Sequence, residues 1–115
     1  MTTTRSLPAR SALALAIALT LAAQSATAVD AAAALALARK SDCLKCHAVD
    51  KKKDGPAYKE VAAKYKGKPD AEAKLYTHLT TNPKVKIDGE EEEHTSLKTK
   101  DDADIKNVVQ WILSQ

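Results

Sequence analysis

The only two cysteines of the 115-residue chain fall in one pentapeptide, Cys43-Leu44-Lys45-Cys46-His47. Two thiols three positions apart share one side of a helical turn. Such a pair can cycle with a disulfide, enter a zinc site, or add across the two vinyl groups of one porphyrin. The adjoining histidine favours the last, because C-x-x-C-H is the attachment signature of haem c in an exported protein. His47 then comes up beneath the iron as proximal ligand. A thioredoxin-like disulfide would want a βαβ pattern around the motif, and the sequence offers no convincing central strand. Zinc would need four ligands. Only His78 and His94 remain for it, since His47 adjoins Cys46 too closely to share a tetrahedral site easily.

Export is legible at the N-terminus. Residues 1–10 carry Arg5 and Arg10 and no acid, residues 12–23 (ALALAIALTLAA) are apolar but for Thr20, and Ala26-Thr27-Ala28 meets the small-x-small cleavage rule. The apolar run is shorter than the about 20 residues a membrane span needs. We read residues 1–28 as a secretory signal peptide and residues 29–115 as one small domain with no membrane span after the signal is removed.

The composition of that domain is restrictive. Met1 is the only methionine of the chain, phenylalanine is absent, and the aromatics are Tyr58, Tyr65, Tyr76 and Trp111. A domain this small buries too little surface to be comfortably stable on short aliphatics alone. A haem would supply the missing apolar volume. Large multi-domain enzymes, transmembrane proteins and multi-disulfide scaffolds are excluded. Beyond the signal, 16 basic side chains face 15 acidic ones, a balance that argues against nucleic acid as partner. Their distribution is uneven: residues 39–68 hold ten bases and four acids, residues 69–115 six bases and ten acids.

The elements that must position the motif read as helices. Residues 31–42 are rich in helix formers and lead into it. Tyr58, Val61, Ala62 and Tyr65 repeat at helical spacing after Gly55-Pro56, and Gly67-Lys68-Pro69 breaks that helix. Asp70 is positioned to cap a third helix running to about Thr80, which Asn82-Pro83 stops. Residues 82–98 have no helical period; Val85 and Ile87 alternate with lysines before Asp88-Gly89, a weak hairpin signal. The last helix starts near Asp101 or Asp102, with Ile105, Val108, Val109 and Ile112 as its apolar stripe. Trp111 should pack against Leu37 and Ala38 of the first helix. The coarse picture is all-α.

With these elements in place, the chain resembles the small bacterial class I monohaem cytochromes c. CLKCHAVDKKKDGPAYKEVAAKYKG is similar to the family's segment from haem motif to second helix, and DIKNVVQWILSQ to its C-terminal helix. The likeness covers residues 35–115 and is weakest between 80 and 98. It implies about four short helices around one covalently attached haem, with the N- and C-terminal helices crossing. It also implies that the Pro56 carbonyl accepts from the Nδ1–H of His47, a bond that fixes the ring and raises its basicity. The family's usual distal ligand is a methionine before the last helix, and none stands there. The matching region holds His94, 47 residues after His47 and 21 before the C-terminus. We therefore expect bis-histidine ligation by His47 and His94. His78 is a rival ligand or a neighbour of a haem propionate, a position Lys84 and Lys86 also suit.

The function expected from this arrangement is single-electron transfer in the periplasm, without catalysis. A second imidazole in place of a thioether lowers the potential, and six-coordinate iron leaves no site for substrate. Lys45, Lys51, Lys52, Lys53 and Lys59 form a docking face for acidic redox partners, centred on Lys51–Lys53. The protein is expected to be a monomer or weak dimer. The alternative is a haem-based sensor of CO or NO with a labile or absent distal ligand.

Overall fold

The computed structural model describes residues 1–3 and 28–115. The expected signal peptide therefore lies almost wholly outside the described residues. Helix α1 (Ala31–Lys40) opens on Asp30, whose carboxylate accepts from the Ala33 N–H, and closes on Arg39 and Lys40, charges that suit a helix C-terminus. A single turn, α2 (Cys43–Cys46), carries the two cysteines. Helices α3 (Tyr58–Tyr65) and α4 (Ala71–Thr80) follow, and α5 (Asp102–Leu113) ends the fold.

One helix cap departs from expectation. Asp70 makes no capping bond to α4; its carboxylate is drawn instead to Lys74 at 2.8 Å, one helical turn away. The hairpin that the sequence signalled weakly is formed. Strands β1 (Lys84–Ile87) and β2 (Glu90–Glu93) pair antiparallel with Lys84 opposite Glu93 and Ile87 opposite Glu90. Its two-residue turn has Asp88 at φ 49° and Gly89 at φ 85°, the double left-handed geometry that matches strand twist. The fold is thus mainly helical with one small ribbon.

The core is thin in large side chains, as the composition requires. Ala34 and Ala38 are completely buried where α1 packs on α5, against the stripe of Ile105, Val108, Val109 and Ile112. Small residues let the two backbones approach closely. Asn107 of α5 locks the pair at one end, accepting from the Asp30 N–H and donating to the Asp30 carbonyl, both at 2.9 Å. Trp111 is buried among these residues, but its ring partner is Tyr58 of α3, met edge-on with centroids 5.4 Å apart.

The chain between α4 and α5 is strapped back onto this frame. The Leu97 N–H donates to the Leu79 carbonyl, the Lys98 N–H donates to the hydroxyl of the fully buried Ser41, and the Lys98 ammonium reaches Asp42 at 2.8 Å. These bonds tie the hairpin exit to the cysteine turn. Among the described residues, no helix is long and apolar enough to cross a membrane.

Candidate functional site: a haem cavity between two histidines

A cavity of about 450 Å³ opens between α2, α3, α4 and the hairpin. Cys43, Cys46 and His47 line one side, Val85, Ile87 and His94 another, and Leu75, His78 and Leu79 come from α4. Both thiols are free and half-buried. Burial and the nearby Asp42 charge push the Cys43 thiol up, keeping it protonated.

His47 is held on three sides. Its Nδ1 pairs with the Pro56 carbonyl at 2.8 Å, as the resemblance implied. Tyr58 stacks on the ring with centroids 5.2 Å apart and planes 18° from parallel. Gly55 closes the third side: a Cβ there would lie 2.3 Å from His47 Cε1, so no other residue leaves room for the imidazole. The intervening loop is tied by the Gly55 N–H to the Cys46 carbonyl at 2.8 Å and by the Tyr58 N–H to the Ala48 carbonyl at 2.9 Å. With Nδ1 engaged, Nε2 is the nitrogen left for a metal.

His94 stands across the cavity, its ring centre 6.1 Å from that of His47 and its plane tilted by 55°. Two imidazoles bonded to one metal at about 2 Å each have centres about 6 Å apart. The His94 backbone is fixed, its N–H donating to the Pro83 carbonyl at 2.8 Å and its carbonyl accepting from Asn82 Nδ2 at 3.1 Å. The ring is another matter, since its buried Nδ1 has no hydrogen-bond partner. Burial and the proximity of His78 and His47 lower its pKa to about 4. Its neutral, metal-binding form is therefore the one present at neutral pH.

These features fit a haem: paired thiols on one turn and two imidazoles at the spacing of a shared metal. They do not fit zinc. Among the described residues, no group of three or more His, Cys, Asp or Glu side chains is arranged to hold a metal ion.

Comparison with known proteins agrees with the geometry. The family model described as Cytochrome c matches residues 31–115. The chain belongs to the cytochrome c family. It is 37% identical over 79 residues to cytochrome c-551 of Pseudomonas aeruginosa, covering 69% of this chain and 73% of that protein. Cytochrome c-552 of Nitrosomonas europaea is 35% identical over 89 residues, covering 68% of this chain and 74% of its own length. Among solved structures, the class 1 cytochrome MtoD from Sideroxydans lithotrophicus ES-1 superposes with a TM-score of 0.73 at 58% identity, over 76% of this chain and 97% of that one. The cytochrome is thus a small class I monohaem protein, an electron carrier acting with redox partner proteins rather than an enzyme. Its one covalent haem c belongs on Cys43 and Cys46.

The remaining sequence expectations meet the structure unevenly. Lys51, Lys52 and Lys53 are exposed beside the cysteine turn, though Lys53 donates to the Leu44 carbonyl. Lys45 and Lys59 are drawn off by Asp42 and Asp50, so the free positive charge of this face is smaller than the sequence suggests. Lys84 faces Glu93 at 3.9 Å, while Lys86 borders the cavity. Sequence reasoning missed Gly55 and Tyr58 as shapers of the proximal wall. Their only signal was proximity to Pro56, because neither a close approach nor a ring stack has a sequence period.

Proposed function

We propose that this cytochrome is an exported single-electron carrier of lowered potential, with the iron held between His47 and His94. The observation that carries the reading is the pair of facing rings 6.1 Å apart across the cavity, in a chain whose sole methionine is Met1. When bound, the haem supplies one-electron exchange between ferric and ferrous iron through its edge. The polypeptide's part is to keep the two imidazoles facing each other. Pro56 and Tyr58 fix one, and the strapped hairpin exit delivers the other. An imidazole in place of a thioether shifts the balance towards ferric iron, within the roughly 0.8 V that axial ligands command. Two protein ligands also leave no open position for substrate or oxygen.

The charge pattern of residues 1–28 supports a periplasmic site of action. The exposed Lys51–Lys53 run supports docking of an acidic partner near the cysteine turn. Electron exchange with an anionic reagent should slow on Lys51→Gln/Lys52→Gln substitution at low salt and converge with wild type at high salt.

EPR and absorption spectra of the ferric protein test the ligation. Low-spin iron with two nitrogen ligands and no thioether band is the expected result. One observation favours the sensor reading instead, namely the unpartnered Nδ1 of His94, which leaves that ring without a hydrogen bond to hold it. High-spin ferric iron, or uptake of CO at the rate of a five-coordinate haem, would favour that reading and end ours.

A further inference from the structure

His78 is used by neither ligand pair nor attachment, yet its ring centre lies 4.1 Å from that of His94 with the planes 51° apart. Aromatic rings usually pack with centres about 4.5–7 Å apart, so this contact is tight. It is not a hydrogen bond. An N–H···N bond between two imidazoles would set the centres about 5 Å apart, and His94 Nδ1 has no such partner. The contact is ring against ring.

We propose that His78 is the positioning residue for His94, its ring fixing by contact an imidazole whose buried Nδ1 has no hydrogen-bond partner. The proposal rests on the reading that His94 binds the iron. The two sides of the cavity differ in the required way: the Pro56 carbonyl orients His47, while the His94 ring meets His78. The support is rigid. His78 sits between Leu75 and Leu79, both buried as α4 packs on α5, so its backbone cannot follow a swinging neighbour. Rotation of His94 out of the cavity thus requires the contact to break.

The test compares holoprotein variants in the ferric state by EPR, reduction potential and the rate at which added cyanide displaces the distal ligand. His78→Ala should shift the EPR g values and speed displacement roughly three- to tenfold, the scale of one packed aromatic pair. His78→Phe, which restores a ring without nitrogen, should return both towards wild type. Should the alanine variant fail to retain haem, His78→Gln, a good helix former without a ring, serves the same comparison. Wild-type spectra and cyanide kinetics in the ringless variant would overturn the proposal. So would a phenylalanine variant as altered as the alanine one, since a nitrogen and not the ring would then be at work. Loss of the two-nitrogen low-spin signal in wild type itself would instead remove the ligation reading on which it stands.

Discussion

The two histidine walls of the cavity are built by different means. His47 sits in the motif, next to Cys46 in sequence, and receives a hydrogen bond partner, a stacked tyrosine and a glycine-sized gap from a loop of ten residues, 48–57, and the first residue of α3. His94 is delivered from a hairpin far along the chain, with its backbone anchored and its ring held by packing. Local covalent proximity makes the first wall cheap to organise, because little chain entropy is lost in closing a short loop. The second wall depends on the whole frame: α4, the ribbon, and the straps through Ser41 and Asp42. One side is built to stay and the other is where ligand exchange would begin.

The largest effect should come from filling the proximal gap. Gly55→Val puts carbon where the His47 ring lies, and overpacking of this kind costs about 3 kcal/mol. Denaturant unfolding should show that loss together with a disturbed low-spin spectrum. A wild-type midpoint would mean that the loop yields more easily than its bonds suggest. On the distal side, His94→Met should raise the reduction potential by on the order of 0.1 V, a fraction of the roughly 0.8 V axial-ligand range. An unchanged potential and spectrum would show that residue 94 never met the metal.

Acid should act on the distal wall. The folded environment holds His94 at a pKa of about 4, against 6.5 ordinarily, so the unfolded or released ring takes up its proton first. Stability from the neutral ring is complete above pH 6.5 and is lost as pH falls through about 4. Denaturant unfolding at falling pH should therefore show stability declining between pH 6.5 and about 4, and a midpoint constant across that range would break the expectation. The smallest effect belongs to Asn82→Gly. The substitution suits the left-handed backbone at φ 49° but deletes the bonds to the His94 carbonyl and Ser96 hydroxyl. It should cost about 1 kcal/mol and modestly quicken cyanide binding, with proximal-side spectra untouched.

Legibility in the sequence follows the same division. The helices were readable because their apolar stripes and stop signals are local: Asn82-Pro83 ends α4, and Asp101 caps α5 by accepting from the Asp104 N–H at 3.0 Å. Asp70 shows the limit, since a residue with capping chemistry turned to Lys74 instead. Trp111 lies in the core, as its place on the apolar side of α5 suggests, but meets Tyr58 edge-on, because which ring a buried indole meets is set by how α3 and α5 pack.

By itself the sequence determined the attachment chemistry and the ligand inventory: two thiols three apart, a histidine beside them, and no methionine beyond the first residue. Those are matters of composition and short spacing, which folding cannot alter. The tertiary structure alone decided that His94 and His47 face each other at 6.1 Å, that Gly55 must lack a side chain, and that His78 rests on His94. Each of these depends on residues distant along the chain or on space shared between elements, and such coincidences arise only when helices and ribbon compete for the same volume.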